Sequence, residues 1–304
     1  MSWRILHLTK PCRLSVNNTR LCYENEETGQ LNIPLEDISV LVFDHQQITL
    51  NSYLLSQLSE YNIVSLFSDQ THHPNGVMFP FHNHSRYSEI AWQQVEISEP
   101  FKKRLWQEIV KAKIINQAEV LKLLNCPNAD KLKNIASMVQ SGDAKNSEAF
   151  AAAIYWQSLF ANFTRNDESD IRNAALNYGY AVIRGCLARS VVSMGLLPCF
   201  GIHHCNKLNQ FNLVDDLIEP LRPFVDYQLH EMNIADNSQL TPQIKNKLIN
   251  ILTQNCLYKG EEISILKSCE IMASSLSQSI RQKNIKLLIL PVLKKLPLFE
   301  QGCG

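Results

Sequence analysis

The spacing of apolar residues changes once along the chain, and this change limits what the chain can fold into. The first eighty residues contain short apolar or β-branched runs separated by turn-forming residues. From Phe101 onward, apolar residues recur at intervals of three and four, which is the spacing of one face of an α-helix. The sequence therefore predicts an α+β protein, with a small N-terminal β-sheet domain at residues 1–85 and a larger all-α domain at residues 101–304.

The N-terminal domain is predicted to contain one short helix. The run ISVLVFD, residues 38–44, is almost continuously apolar, as is typical of a buried strand. Leucines at helical spacing follow in residues 49–62, after a possible cap at Thr49. The β-rich run NIVSLFSD comes next. We expect the helix to pack on a mostly antiparallel sheet.

Residues 86–100 are predicted to link the two domains. The surrounding segment, residues 71–98, holds two prolines, one glycine and four histidines, a composition typical of a connection. Its histidines also suggest a zinc site. Neither the pair His72-His73 nor the triplet His82-Asn83-His84 has a cysteine pair nearby, so a solvated loop is the simpler interpretation.

The second domain is predicted to be helical throughout. Its candidate helices cover residues 101–124, 147–163, 171–195, 212–232 and, as a lysine-rich pair, roughly 241–257 and 260–296.

Cysteine usage and hydropathy indicate a soluble protein of the cytoplasm. The 9 cysteines are odd in number and never form a C-x-x-C pair, so neither a disulfide framework nor a zinc ribbon is indicated. The N-terminus lacks the apolar core of a signal peptide, and no run approaches the roughly 20 apolar residues that span a bilayer.

The formal net charge of zero hides an uneven distribution. Residues 1–85 contain four basic and eight acidic residues, so they carry −4 and the remainder carries +4. A polyanionic partner such as DNA is therefore expected on the helical domain, because neutralisation of phosphates dominates such binding. A basic helical face is more often ordinary solvated surface, so the charge distribution alone does not indicate DNA binding.

Histidines and carboxylates are concentrated in GIHHCNKLNQFNLVDDLIEP, residues 201–220. Asp216 and Glu219 are three residues apart, which places both on one side of a helix. An ion pair between Glu219 and Arg222 would explain this acid without a ligand. Carboxylates with one imidazole also suit Mg²⁺ or Mn²⁺, so both interpretations stay open.

Two neighbours of these acids have structural interpretations. Asn212, with Asp215 three residues later, resembles a capping box at a helix start. Pro220 removes a backbone donor and is predicted to kink the helix.

A metal site would require one more acid, and Glu148 is the candidate. It opens a helix whose next residues are small alanines, which leaves room for a ligand. An acid in the first turn of a helix is also explained by the helix dipole alone.

Four segments, in this order, resemble the CRISPR adaptation integrase family of metal-dependent endonucleases that insert new spacers. They are EAFAAAIYW (148–156), IRNAALNYGYAVIRG (171–185), GLLPCFGIHH (195–204) and FNLVDDLIEPLRPFVD (211–226). IPLEDISVLVFD and NIVSLFSD also resemble the β domain of this family, and residues 209–226 are most similar to its type II branch.

This resemblance implies that Glu148, His204 and Glu219 hold Mg²⁺ or Mn²⁺ and carry the catalysis. Asp216 is then an accessory acid, and His203 is a neighbour and not a ligand. The implied reaction joins the 3′-hydroxyl of a short DNA fragment to the CRISPR repeat by transesterification.

The resemblance also implies partners. The family acts on double-stranded DNA fragments and repeat DNA, as a homodimer bound to a small ferredoxin-fold protein. The candidate DNA-binding residues are Lys102, Lys103, Arg104, Lys111, Lys113, Arg165 and Arg222. Two alternatives remain open: a non-catalytic DNA-binding scaffold of the same assembly, and a metal-dependent hydrolase of small phosphoesters. The second has no glycine-rich phosphate cradle to support it.

Overall fold

A computed structural model describes residues 4–27, 29–80, 84–234 and 239–294. Within these residues the N-terminal region forms eight strands and one α-helix. The strands are β1 (Arg4–Leu8), β2 (Cys12–Asn17), β3 (Arg20–Asn25), β4 (Gly29–Pro34), β5 (Ile38–Phe43), β6 (Ile48–Leu50), β7 (Val64–Ser68) and β8 (Pro74–Met78); the helix is α1 (Ser52–Glu60).

These strands form two mixed sheets, so the expectation of one mostly antiparallel sheet is wrong. The first sheet has the order β1-β5-β7-β8, with β5 parallel to both neighbours and β8 antiparallel to β7. The second has the order β4-β3-β2-β6, with only β6 parallel to its neighbour. In each parallel pair the chain leaves the sheet and returns to it: β2–β4 lie between β1 and β5, β3–β5 between β2 and β6, and β6 with α1 between β5 and β7. Such crossover connections bring the chain back in the same direction.

Strand β5 is buried along its whole length, as its apolar run predicts. Val40 and Val42 join the large core shared with the helices, and Leu41 packs in the smaller core beneath α1. The cap of α1 is Asn51, whose side chain accepts a hydrogen bond from the amide of Leu54 at 2.9 Å. The predicted cap, Thr49, instead lies in strand β6, where it pairs with Arg13 of β2.

The remainder of the described chain is mostly helical, which confirms the predicted fold class. Its helices are α2 (Tyr87–Val95), α3 (Glu99–Leu123), α4 (Ala129–Met138), α5 (Ser147–Leu159), α6 (Ile171–Ser193), α7 (Asn212–Ile218), α8 (Arg222–Met232), α9 (Pro242–Ile249) and α10 (Ile265–Gln282). Helix α2 lies in the segment predicted to be a linker, and the domain limits themselves stay a prediction. None of the described helices is long and apolar enough to cross a bilayer.

One hairpin interrupts the predicted pair of C-terminal helices. Strands β9 (Asn255–Tyr258) and β10 (Glu261–Ser264) are antiparallel and joined by Lys259 and Gly260. Both turn residues have positive φ, 48° and 89°, as a two-residue hairpin turn requires. The continuous helices predicted for residues 241–257 and 260–296 are therefore wrong at these positions.

Helix α6 lies at the centre of the helical region and also contacts the first sheet. Gly185 permits this contact, since a Cβ there would lie 2.4 Å from Cδ2 of Leu66 on β7. This close packing places the loop before β8 next to the face of α6 that lines the candidate site.

Candidate metal and nucleic-acid site

Glu148 and Glu219 meet at one cation, the ammonium group of Lys113. Glu148 lies in the first turn of α5, Lys113 in the middle of α3, and Glu219 directly after α7. Nζ of Lys113 is 2.6 Å from Oε1 of Glu148 and 2.5 Å from Oε2 of Glu219. Two carboxylates that are 71 residues apart in sequence therefore share a single positive charge.

This cluster is buried and charged. Glu219 is 5% exposed and Lys113 is 9% exposed. Burial alone would raise the pKa of Glu219, but the positive charges of Lys113 and Arg222 outweigh it and lower that pKa. For Lys113, burial opposes the charged form, but Glu219 and Glu148 raise its pKa overall. The ion pair between Arg222 and Glu219, predicted as the simpler interpretation, is present at 2.9 Å.

The start of α5 is fixed by a capping residue that the sequence interpretation missed. Asp143 accepts hydrogen bonds from the backbone amides of Ser147 and Glu148, at 2.8 and 3.0 Å. An acid four residues before the first helical residue was the available signal. These two amides have no partner within the helix, so their bonds to Asp143 fix the first turn of α5 and with it the position of Glu148.

Pro220 places Glu219 at a break between two helices. Helix α7 ends at Ile218, a short 3₁₀ turn covers Glu219–Leu221, and α8 begins at Arg222. The predicted interruption is confirmed. The carbonyl of Pro220 accepts a hydrogen bond from Nδ2 of Asn116 on α3 at 2.7 Å, which ties the break to the helix that carries Lys113.

Asp216 organises the loop that carries His204. This carboxylate is completely buried. It accepts hydrogen bonds from the backbone amides of Ile202 at 2.5 Å, His203 at 2.9 Å and His204 at 3.1 Å, and from Nδ1 of His204 at 2.6 Å. A carboxylate with four donors is fully used, so Asp216 supports the histidine and has no oxygen left for another ligand.

The hydrogen bond to Asp216 also determines which nitrogen of His204 is available. Because a carboxylate only accepts, Nδ1 carries the proton and the neutral ring keeps its lone pair on Nε2. The hydrogen bond to Asp216 raises the pKa of His204, against the opposing effect of burial. The ring is half-exposed and lines the same groove as Glu219.

Gly201 is required for this arrangement. A Cβ at this position would lie 2.3 Å from the carbonyl oxygen of His204 and 2.8 Å from Oδ2 of Asp216. His203 points elsewhere: its ring stacks on Trp106 with centroids 4.3 Å apart and planes 3° from parallel. Both adjacent histidines therefore contact Trp106, but His203 stacks on its face, whereas His204 meets it edge-on, with centroids 5.8 Å apart, and lines the groove.

The predicted capping box at α7 is wrong. The N-cap is Phe211, which makes no side-chain cap, and Asn212 is already inside the first turn. The side-chain amide of Asn212 instead donates to the carbonyls of Cys199 and Asn206, at 3.1 and 2.9 Å. These bonds tie the two ends of the histidine loop to α7. Asp215 pairs with Arg184 through two hydrogen bonds of 2.6 and 3.0 Å.

An open groove of about 500 Å³ lies in front of His204 and Glu219. Arg184, Arg222, Asn177 and Tyr180 line it. Arg184, Asn177 and Tyr180 were not predicted, although α6 positions 177, 180, 181 and 184 lie at helical spacing and so share one face. The groove therefore presents two guanidinium groups beside the acidic cluster, as a site for a phosphate-containing ligand requires.

The other candidate DNA-binding residues lie in varied positions. Arg165 donates to Asn173 and to the groove residue Asn177, at 2.9 and 2.6 Å. Lys102 pairs with Glu99 and Lys111 with Glu108, at 3.0 and 3.2 Å. Lys103 and Arg104 are exposed on the first turns of α3.

Within the part of the chain that the structure describes, no three histidine, cysteine or acidic side chains are grouped as a complete metal site. A lysine, Lys113, lies between the two carboxylates. The donor set nevertheless fits Mg²⁺ or Mn²⁺, because two carboxylates already converge on one cation and His204 lines the same groove as one of them, Glu219.

Among the described residues, His72, His73 and His84 belong to no group of three potential metal ligands. His72 donates from Nδ1 to Asp44 at 2.9 Å, His73 donates from Nδ1 to the carbonyl of Pro74, and His84 accepts from the amide of Arg86. His82 lies outside the described residues.

Comparisons with known proteins identify the family of this chain. A family model described as CRISPR associated protein Cas1 matches residues 6–243. A CRISPR-associated endonuclease Cas1 from Neisseria meningitidis serogroup C is 40% identical over 305 residues, which cover 99% of each chain.

Solved structures share the fold. A casposase bound to integration product superposes with a TM-score of 0.71 at 17% identity, covering 96% of this chain and 92% of that chain. A Cas6-RT-Cas1–Cas2 complex gives a TM-score of 0.69 at 18% identity, covering 94% of this chain and 36% of that chain. With the family model matching most of its length and a full-length relative at 40% identity, this chain belongs to the Cas1 family of CRISPR-associated proteins.

Proposed function

We propose that this chain is a DNA endonuclease and integrase of CRISPR adaptation that depends on Mg²⁺ or Mn²⁺. It joins the 3′-hydroxyl ends of short DNA fragments to the CRISPR repeat and so acquires new spacers in antiviral defence. The observation that carries the proposal is the convergence of Glu148 and Glu219 on one cation beside the oriented ring of His204. Membership of the Cas1 family, with a relative named an endonuclease, supports it.

Glu148, Glu219 and Nε2 of His204 would hold the metal ion. When bound, the ion supplies Lewis-acid polarisation of the attacked phosphodiester and favours the deprotonated form of the attacking hydroxyl. Asp216 keeps the proton of His204 on Nδ1, so that Nε2 is always the nitrogen presented to the groove. Arg222 balances part of the charge of Glu219 and holds that carboxylate in place.

The guanidinium groups that line the groove have a second role. Arg184 and Arg222 are suited to bind phosphate oxygens on either side of the reacting bond, because a guanidinium offers a fork of donors. Arg184 is itself oriented by Asp215 and by the ring of Phe211, 4.8 Å away. In the exchange, the 3′-hydroxyl oxygen loses its proton and forms a new bond to phosphorus. The repeat's P–O3′ bond breaks, and the leaving O3′ takes up a proton to become a free 3′-hydroxyl, so no net proton is released.

The proposed partners are double-stranded DNA fragments, CRISPR repeat DNA, a second copy of this chain and a small ferredoxin-fold protein. The fold likeness to a chain of a Cas6-RT-Cas1–Cas2 complex supports a partner protein. The fold likeness to a casposase bound to integration product supports a DNA substrate. We place this activity in the cytoplasm.

A joining assay tests the proposal. A labelled DNA fragment is incubated with a repeat-containing plasmid and Mn²⁺, and covalent transfer of the label is measured. We expect Glu148→Gln, Glu219→Gln and His204→Ala each to reduce joining by about 100-fold or more, since each removes a ligand. His203→Ala is the matched control and should keep most of the activity.

Further arms separate the alternatives. A fragment ending in a 3′-deoxy sugar must not be joined, because the nucleophile is missing. If joining survives both Glu148→Ala and His204→Ala, the catalytic assignment is wrong and a scaffold role is favoured. If a small phosphodiester such as bis-p-nitrophenyl phosphate is turned over far better than branched DNA, a small-molecule hydrolase is favoured.

A further inference from the structure

Lys113 has surroundings unlike those of the other lysines on its helix. Lys111 and Lys102 form single ion pairs with acids three residues away on the same helix. Lys113 instead reaches two acids from other elements, and its own side chain is only 11% exposed. Its neighbours on α3, Ile109 and Gln117, are buried, so the helix points this side chain into the protein.

The contact with Glu219 leaves an unusual oxygen. Oε2 of Glu219 is buried and, among the described residues, has no hydrogen bond of good geometry, although Nζ of Lys113 is 2.5 Å away. Lys113 is therefore the cation that lies closest to this buried oxygen. A buried carboxylate oxygen needs a positive partner, and a divalent ion meets the same need.

A metal ion and the ammonium group cannot contact the same two oxygens together. Oε1 of Glu148 and Oε2 of Glu219 both lie within 2.6 Å of Nζ, so a divalent ion bound to these oxygens would have to take nearly the same position. Two positive charges this close repel strongly in a buried site.

We propose that Lys113 is a positioning residue that holds Glu148 and Glu219 together as a resident cation, and that a divalent ion binds by displacing its ammonium group. This inference rests on the proposed function for the identity of the two metal-binding carboxylates. It assigns Lys113 two effects: it prevents the two acids from repelling each other in the metal-free protein, and it weakens metal binding because it must first be moved.

The test measures Mn²⁺ affinity without DNA. Full-length protein and Lys113→Met are titrated with Mn²⁺ at pH 8, and free Mn²⁺ is followed by its electron paramagnetic resonance signal. Methionine keeps an unbranched apolar side chain and removes the charge. We expect Lys113→Met to bind Mn²⁺ about tenfold or more tightly, because the competing cation is gone. Its metal-free melting temperature should be lower, and Mn²⁺ should raise it more than in the unchanged protein.

Lys133→Met is the matched control. Lys133 pairs with Glu119 at 2.8 Å, away from the site, so its loss removes one ion pair without altering Mn²⁺ affinity. If Lys113→Met does not fold, Lys113→Gln replaces it, since glutamine keeps an N–H donor and lacks the charge. A simple structural role would lower the melting temperature and leave the affinity unchanged or weaker, and that result overturns the proposal.

The two proposals fail in different ways. If Mn²⁺-dependent joining is lost in Glu148→Gln but Lys113→Met binds Mn²⁺ no more tightly, only the displacement by metal is wrong. If Lys113→Met binds Mn²⁺ more tightly but the unchanged protein joins no DNA, displacement is supported and the proposed activity is wrong.

Discussion

Among the described residues, two clusters each combine carboxylates or a carboxylate with histidine and a lysine. They differ in whether ligand atoms are left available to a further cation. In the first, described above, two glutamates share Lys113 while His204 presents one nitrogen to the groove. In the second, Asp44 at the end of β5 contacts Nε2 of His7 at 2.9 Å and Nδ1 of His72 at 2.9 Å, and lies 3.5 Å from Nζ of Lys245. This second cluster joins the first sheet to helix α9.

The two clusters differ in the number of carboxylates relative to the nitrogen-bearing side chains that contact them. Asp44 is a single carboxylate surrounded by three nitrogen-bearing side chains. Burial would raise its pKa, but the hydrogen bonds from His7 and His72 and the charge of Lys245 lower it overall. No acidic oxygen is left over for a metal ion. For the proposed metal site, the comparison points to surplus carboxylate and access to a groove as the distinguishing features, and not to residue types alone.

The largest expected effect is that of Asp216→Ala. Three backbone amides and Nδ1 of His204 lose their acceptor, and each buried unsatisfied donor costs about 1–3 kcal/mol. We expect urea unfolding to give a free energy lower by about 3 kcal/mol or more, and DNA joining to be lost. Asp215→Ala, which breaks a partly exposed ion pair, should cost no more than about 1 kcal/mol. Equal stability losses for the two variants would contradict the role given to Asp216.

Gly201→Ala should have the next largest effect. The added methyl group would overlap the carbonyl of His204 and the carboxylate of Asp216, so the loop must shift. We expect a stability loss of about 1–3 kcal/mol and a joining rate reduced by about tenfold or more, since small displacements of a catalytic group are costly. A variant with normal joining would mean that the loop position does not matter.

Asp44→Asn should change stability and leave chemistry intact. We expect unfolding at pH 7 to require about 2 kcal/mol less, from weakened hydrogen bonds to a charged group. Because the folded pKa of Asp44 is lowered, its contribution is complete above the unfolded pKa and is lost as pH falls through the folded value. The difference between the two proteins should therefore shrink below about pH 4. Joining per folded molecule should match that of the unchanged protein; a loss comparable to that of His204→Ala would make the second cluster part of the site.

His203→Ala should have the smallest effect. It removes a ring stacked on Trp106, which is worth about 0.5–1.5 kcal/mol. Thermal melting should detect this loss, while joining should stay within about threefold, because His203 has no role in the acidic cluster. A loss of joining as large as for His204→Ala would show that the two histidines had been assigned the wrong way round.

Much of the fold follows from local patterns. The α+β class, the buried strand β5 and the interruption at Pro220 were all predicted, because each depends on residues close in sequence. The mixed sheets and the hairpin at residues 255–264 were missed. Strand direction depends on crossovers that a period-2 pattern does not encode, and Lys259-Gly260 is a weaker hairpin signal than Asn-Gly.

The site was predicted in part, for a similar reason. The motif positions of Glu148, His204 and Glu219 were visible, and the first and last of these meet in space. The role of Lys113 was not visible, since its partners lie 35 and 106 residues away. One signal was available: Lys113 lies four residues after Ile109 and seven before Val120, on the apolar face of α3, whereas Lys111 does not.

Anomalous diffraction from crystals soaked in Mn²⁺ tests the central claim most directly. We predict one peak about 2.1 Å from Glu148, Glu219 and Nε2 of His204, with the ammonium group of Lys113 moved away. Glu219→Gln crystals should lack this peak. A peak at Asp44 and its histidines, or no peak at Glu148 and Glu219 under saturating Mn²⁺, would contradict the account.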